Sequence, residues 1–354
     1  MFTILDRHIG RSILIGTFLV LGIFSALFVF IVLVDVLPDH GKGNFGTYQL
    51  LRYVLLSQPR KLYEIFPVTV LIGTLLGLST LALNSELIAM RAAGVSKGRI
   101  AGAAMKTGLV LVIGAVLVGE YLVPVAETRA QTGRARALAA SFQQGTTGLW
   151  VREGETFVNI GEVLPDLSLL RVSIYDLTPD FQMREHTYAA QAVYDGERWQ
   201  LGQVRSSSIK RDRVDTHAKA GVGWETTLTP DVVAVFTTRA EALSIAQLYA
   251  YIRHLRSNNQ DVGRFTLTFW QKFLMPIATA VMILLAVPFV FRPVRSGGLA
   301  QRAFTGVVLG LAFVVVSRSL GYMALLYGVP PFVAAVAPLI MFFAIAVALS
   351  RRLA

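Results

Sequence analysis

Six apolar runs constrain this chain more than any other feature of its sequence. They fall at about 12–36, 62–83, 101–123, 270–291, 303–324 and 331–349. Each approaches the roughly 20 apolar residues that a helix needs to cross about 30 Å of hydrocarbon. A backbone inside a bilayer must satisfy its own polar groups, so runs of this length read as spanning helices. Composition points the same way. Of 354 residues, 54% are apolar and 16% charged, and mean hydropathy is +0.57. A soluble domain carries about 25% charged residues. The first run is expected to stay in the protein, because it ends in Val34-Asp35-Val36-Leu37-Pro38 without a small-residue cleavage pattern. The absence of cysteine removes disulfides, thiolate metal sites and thiol catalysis.

Residues 125–269, between the third and fourth runs, have a different composition. They hold 16 basic and 16 acidic residues, so the net charge of +11 belongs to the remainder. The expected fold is an α-helical membrane protein with six transmembrane helices (3+3) and an inserted extracytoplasmic β-jellyroll domain. The expected domains are 1–124 (helices one to three), 125–243 (β-jellyroll), 244–269 (an amphipathic connecting helix and linker) and 270–354 (helices four to six). Within the insert, 169–175, 188–194, 199–206 and 221–226 read as strands. Asp195-Gly196 marks a hairpin between the second and third of these. Many short strands with turn signals suggest a sandwich or jelly roll, whose edges can recruit a partner's strand. Residues 244–257 change period: Ile245, Leu248, Tyr249, Ile252 and Leu255 recur at helical spacing behind Ser244 as N-cap.

Short-loop Lys and Arg set the expected orientation. One side carries Arg7, Arg11, Arg91, Lys97, Arg99, Lys106, Arg292, Arg295, Arg302, Arg351 and Arg352; the other carries Lys42, Arg52, Arg60 and Lys61. Both termini are therefore expected to be cytoplasmic and the insert extracytoplasmic. The cations that remain on the outer side are Lys42, Arg52, Arg60, Lys61, Arg264, Lys272 and Arg318.

No phosphate-binding G-x-x-x-x-G-K-[ST] run, H-E-x-x-H or G-x-S-x-G occurs, and the five histidines are scattered. No catalytic residue, metal site or cofactor is expected. The spans lack the series of buried acids of an ion-coupled carrier, with Glu120 the main exception. The most informative short stretch is 84–96. Ser85 can cap a short helix, Glu86 sits in its first turn, and Gly94 can end it in the left-handed conformation. A short capped helix between two spans is a rigid handle for a cytosolic protein. With Glu86, Arg91 and Gly94 it resembles the coupling helix of ATP-binding-cassette permeases; an ordinary capped loop helix is the alternative.

Taken together, ordered motifs make the chain resemble the LptF/LptG family of lipopolysaccharide export permeases, on its LptG branch. They are Leu5-Asp6-Arg7-His8-Ile9-Gly10, Ser85-Glu86-Leu87 with Gly94, Gly119-Glu120 with Pro124, and Gly148-Leu149-Trp150. Further along come Thr229-Pro230-Asp231, Ala242-Leu243-Ser244-Ile245, Gln260-Asp261 with Gly263-Arg264, and Trp270 with Lys272. The last are Pro293 with Arg295-Ser296, and Tyr327-Gly328 with Pro330-Pro331. The resemblance implies a heterodimer with an LptF-like permease subunit and an LptB-like ATPase dimer that binds the ATP. It also implies an LptC-like bitopic protein and a periplasmic LptA-like bridge, in the inner membrane of a Gram-negative bacterium. It implies no nucleic acid. Lipopolysaccharide would enter a cavity between the permeases through gates involving spans one and five, and pass through the jellyrolls to the bridge. Family members can carry a lysine near the outer end of span one; Val32 stands there in this chain, so phosphate contact is expected from the loop or from span five instead.

Physical chemistry then names candidate contacts for the ligand that the resemblance implies. A phosphorylated glycolipid needs cations at headgroup level and apolar walls below. Arg318 lies about fifteen residues into span five, roughly 22 Å along it, and guanidinium binds phosphate in a fork. Lys272 and Arg264 lie near the outer end of span four, and Lys42, Arg52, Arg60 and Lys61 in or beside the first outer loop. Glu120 is a candidate for gating or for an internal salt bridge. The rival reading is a mechanotransmission permease of another ATP-driven envelope complex that moves no lipid.

Overall fold

A computed structural model describes residues 3–138, 148–153, 155–164, 168–178, 182–209, 214–226, 228, 240–257, 261–291 and 299–351. All six apolar runs form helices long and apolar enough to cross a membrane. The helices are α1 (Ile4–Val36), α2 (Thr47–Glu64), α3 (Phe66–Leu83), α4 (Glu86–Ala92), α5 (Lys97–Leu117) and α6 (Val123–Leu138), then α7 (Ile245–Ser257), α8 (Gly263–Phe291), α9 (Leu299–Tyr327) and α10 (Pro331–Arg351). The first helix begins eight residues before its apolar run, which puts His8 on a helix. The second span is shorter than its apolar run. The backbone breaks at Ile65, and Pro67 in the first turn of α3, with no N–H to lose there, suits that start. A π-helical turn, Val118–Leu122, joins α5 to α6.

The chain divides into two compact units. The first comprises Met1–Ile31, Gln58–Pro124 and Ala240–Ala354. At its centre α3 and α8 are apolar almost all round, as helices enclosed by other helices should be. Val70, Leu71, Leu75, Leu78, Met282, Leu285 and Ala286 of these two are almost fully buried, alongside Ile9, Ile13, Ile100 and Ala104. Small residues let α1 cross α3 at backbone distance. A β-carbon on Gly77 would sit 2.6 Å from the Ser12 carbonyl oxygen, and one on Gly73 within 2.5 Å of Thr17 Cα. The Ser12 hydroxyl donates to the Gly77 carbonyl at 2.8 Å across the same crossing. Close backbone approach of this kind drives helix association where lipid removes the hydrophobic incentive. Helix α10 packs on α8 through Leu274, Ala278, Ala335 and Leu339, with Trp270 edge-on to Phe332 at 4.8 Å.

The second unit comprises Val32–Ser57 and Val125–Arg239. Its six strands are β1 (Leu149–Glu153), β2 (Thr156–Val163), β3 (Leu169–Leu177), β4 (Met183–Tyr194), β5 (Trp199–Ile209) and β6 (Val214–Trp224). They form one antiparallel sheet in chain order. The inserted β domain is thus as expected, with β1 and β2 added to the strands read from sequence. Alternation buries Val158 and Ile160 of β2, and Val172, Ala189, Leu201 and Val204 join that core; Leu201 and Val204 are three residues apart, with the alternation broken between them at Gln203, φ +54°. Trp199 fills that core, and its indole N–H donates to the Leu228 carbonyl at 2.6 Å. The β4–β5 hairpin turns where Asp195-Gly196 lies, but over four residues rather than two. Asp195 Oδ1 accepts the N–H of Glu197 and of Arg198, and Gly196 takes φ +109°. This holds the Asp195 carboxyl down at about 2, first through Gln200 and then through those backbone N–H groups.

Among the sequence motifs, Thr229-Pro230-Asp231, Gln260, Pro293 and Arg295-Ser296 lie outside the described residues, as do Arg292 and Arg352.

Candidate functional site

The helical unit carries charge at two ends, named here by Asp6 and Glu120. At the first, Asp6 in the opening turn of α1 has a fully buried side chain. Its carboxylate accepts from Arg99 at 2.6 Å and from Lys106 at 2.8 Å, both on α5. The Arg99 guanidinium also donates to the Thr3 hydroxyl. One carboxylate thus pins the start of α1 to α5. Sequence reasoning used Asp6 only as a motif residue. Its partners lie 93 and 100 residues away, and nothing local announces them.

Beside it stands α4, the expected coupling helix. Gly94 takes φ +88° and ends it as anticipated. The N-terminal cap differs from expectation. Ser85 itself is left-handed, at φ 61°, and its hydroxyl makes no cap. Instead Glu86 is held from outside the helix, by His8 of α1 at 2.5 Å and by the Asn84 amide at 3.3 Å. The His8 contact first, then the Asn84 amide, keep the Glu86 carboxyl below its ordinary range. Leu87 is buried, whereas Ile88 and Arg91 are exposed, so α4 packs by one face and presents the other.

At the opposite end four of the expected residues converge. Glu120 sits in the π-helical turn, where the extra residue per turn changes the direction of the side chains. Its two carboxylate oxygens accept the Ile245 and Ala246 N–H groups at 2.9 and 3.2 Å. A carboxylate from another segment thereby caps α7, favoured by the helix dipole. Ser244 and Gln247 complete a reciprocal capping box, as the sequence suggested for Ser244. Lys272 is buried; its ammonium donates to the Leu243 carbonyl and lies over the Tyr63 ring at 5.6 Å. It therefore ties α8 to the start of α7 from the interior. Glu120, Glu64, Glu241 and Arg60 are the charges around it. Arg60 pairs with Glu64 at 2.8 Å and Arg264 with Glu241 at 3.2 Å. Burial alone would raise the Glu241 carboxyl, but a backbone N–H and Arg264 outweigh it, and the net shift is downward.

The other expected cations stand apart. Arg318 is exposed on α9 and, among the described residues, has no ion-pair partner. Lys61 is half-buried on α2. In the second unit Arg52 is exposed, and Lys42 shares Asp39 with Arg134, at 3.0 and 2.6 Å. Arg134 also lies over the Tyr53 ring. It was not among the sequence candidates, because a basic residue in the insert carries no local mark of an ion pair with the turn after α1.

Two helices are left strongly uncovered. Only 17% of the most apolar window of α1 is buried, and 11% of that of α9, against 78% for α3. Long apolar helices with such exposure, a short helix ended by Gly94 between the second and third spans, and an inserted β sheet describe a multi-pass membrane protein that leaves two spans open to something outside the chain.

The comparisons with known proteins make that specific. The chain belongs to the family described as lipopolysaccharide export system permease LptF/LptG, which matches residues 7–352. It is 36% identical to the lipopolysaccharide export system permease protein LptG of Escherichia coli (strain K12) over 355 residues, covering 99% of each chain. It is 37% identical to the protein of the same name from Haemophilus influenzae over 345 residues, covering 97% of this chain and 96% of that one.

Proposed function

We propose that this chain is a non-catalytic permease subunit of an ATP-driven complex that extracts lipopolysaccharide from the outer leaflet of the inner membrane. Likeness to LptG over 99% of both chains carries this reading. Its partners are an LptF-like permease, an LptB-like ATPase dimer that binds the ATP, an LptC-like bitopic protein and a periplasmic LptA-like bridge. Both termini lie in the cytoplasm and the β domain in the periplasm, in keeping with the arginine and lysine bias of the short loops.

The mechanism follows from where the chain is firm and where it is open. ATPase closure pushes on the exposed face of α4, ending at Gly94. Through His8–Glu86 and the Asp6 cluster that push reaches α1. Helices α1 and α9, uncovered within the chain, form the walls through which lipopolysaccharide enters. Arg318, without a carboxylate partner among the described residues, meets a phosphate; Arg52, Lys61 and Lys42 add cations on the outer side. Lys272, Glu120, Arg264 and Arg60 serve differently. Their charges are engaged within the chain: Glu120, Lys272 and Arg264 fasten the start of α7 to the neighbouring helices, and Arg60 pairs with Glu64 of its own helix.

The experiment is lipopolysaccharide release from proteoliposomes containing the purified complex. Alone, the chain hydrolyses no ATP. In the complex, Glu86→Ala and Gly94→Pro leave hydrolysis running but reduce release about tenfold or more. Normal release in both variants refutes the coupling role of α4, and release without an ATPase partner refutes the whole reading.

A further inference from the structure

We infer that the groove between α1 and α5 at the Asp6 end is a binding site for an anionic glycerophospholipid of the adjoining leaflet. The site lies at the Asp6 end of α1, away from the outer leaflet where lipopolysaccharide is proposed to enter, and its test does not depend on that entry. The groove encloses about 520 Å³. Its floor is the close approach of the two helices, where a β-carbon on Gly10 would lie 2.7 Å from the Thr107 hydroxyl. Arg7 and Arg11 stand one turn apart at one end, and Leu14, Ile15, Phe18 and Val110 line the rest.

The order of these residues matches a lipid from head to tail. From Arg7 to Phe18 is eleven residues, about 16 Å of helix rise, close to the roughly 15 Å of one leaflet's hydrocarbon. Ile15, Phe18 and Val110 are all more than half exposed, an apolar trough that the chain itself does not cover.

Charge decides what fills the head of the groove. Arg99 and Lys106 are close by but already share the Asp6 carboxylate. Arg7 and Arg11 are exposed and, among the described residues, their side chains make no hydrogen bond or ion pair. Arg7, Arg11 and Asp6 are the charged residues lining the groove, and Asp6 is already taken by Arg99 and Lys106, so the two arginines leave its head in need of an anion. Two guanidinium groups one helical turn apart suit the oxygens of a phosphodiester. A helix of a partner protein would cover the apolar trough equally well, but it would leave the two arginines without a counter-charge unless it brought an acid to them.

The test is lipid retention by the full chain, extracted in the complex it forms in its own membrane. The complex is placed in phosphatidylcholine nanodiscs doped with phosphatidylglycerol and examined by native mass spectrometry. Arg7→Ala with Arg11→Ala lowers phosphatidylglycerol retention about twenty-five-fold, at about fivefold per arginine near an anionic headgroup. Val110→Trp, which fills the trough and leaves both charges, lowers it as well. Arg351→Ala, which removes an exposed cation from another helix, leaves it unchanged. Retention equal in all four proteins overturns the site. So does a photo-crosslinker at Ile15 that captures a partner helix and no lipid. Phosphatidylcholine retained as well as phosphatidylglycerol overturns the role of the arginines.

Discussion

Helices α3 and α9 are both long apolar spans, yet they live in opposite surroundings. Three quarters and more of the α3 window is enclosed by its own chain, and about a tenth of the α9 window. Their sequences show why. Helix α3 carries Gly73 and Gly77, which admit the α1 backbone, and Leu71, Leu75 and Leu78, which are fully buried. Helix α9 shows α3 a narrow strip around Gly306 and Gly310 and turns Leu311, Val315 and Tyr322 outward. The difference separates two tasks. Helix α3 holds the subunit together, whereas α9 and α1 are surfaces for something outside it. Substitutions in α3 should therefore cost stability, and those in α9 should cost function and leave stability alone.

Gly77→Leu should have the largest effect. Its first side-chain atom would collide with backbone, which cannot swing aside, so the loss should be about 3 kcal/mol or more. It appears as failure of the purified chain to survive gel filtration in detergent. Survival with an unchanged melting temperature would mean that α3 is not the centre. Asp6→Ala comes next. It leaves Arg99 and Lys106 without their shared carboxylate, but both stay a third or more exposed. The cost should fall between that of Gly77→Leu and that of losing the cap of α7, and below that of breaking a fully buried pair. Thermal unfolding in detergent measures it.

Glu120→Ala removes the cap of α7 and should cost about 1 kcal/mol. The specific mark is faster hydrogen exchange at 245–247, with α3 unaffected. A smaller effect belongs to the His8–Glu86 contact. The Glu86 carboxyl sits below its ordinary 4.5 in the folded chain. What it contributes is complete above that ordinary value and is lost as pH falls through the lowered one. Melting of the native protein should drop more than that of Glu86→Gln over this acid range; parallel curves would remove the contact's role.

Much of this fold was legible in sequence because its signals are local. Six apolar runs, the hairpin at Asp195-Gly196, the Ser244 cap and the Gly94 stop each depend on neighbours within a few residues. The weak, amphipathic α2 was missed because neither hydropathy nor a cap marks it, and Pro59 lies inside it. Site assignments fared differently. Arg318 and Lys272 look alike in sequence, each a cation in an apolar span. The structure leaves Arg318 exposed and turns Lys272 inward to the Leu243 carbonyl. What separates them is the loop before α7, 29 residues upstream of Lys272, and no local pattern reports such a partner. The same holds for Asp6, whose two cations lie on α5.

In the proposed function the uncovered helices of this chain meet lipopolysaccharide. That meeting is tested most directly by photo-crosslinking in native membranes, with a light-activated residue at Val315 or Arg318 of α9 and, as control, at Leu75 of α3. Lipopolysaccharide adducts are expected from α9, stronger when an LptB-like ATPase is present, and none from Leu75. Adducts absent from α9, or equal at Leu75, would contradict it.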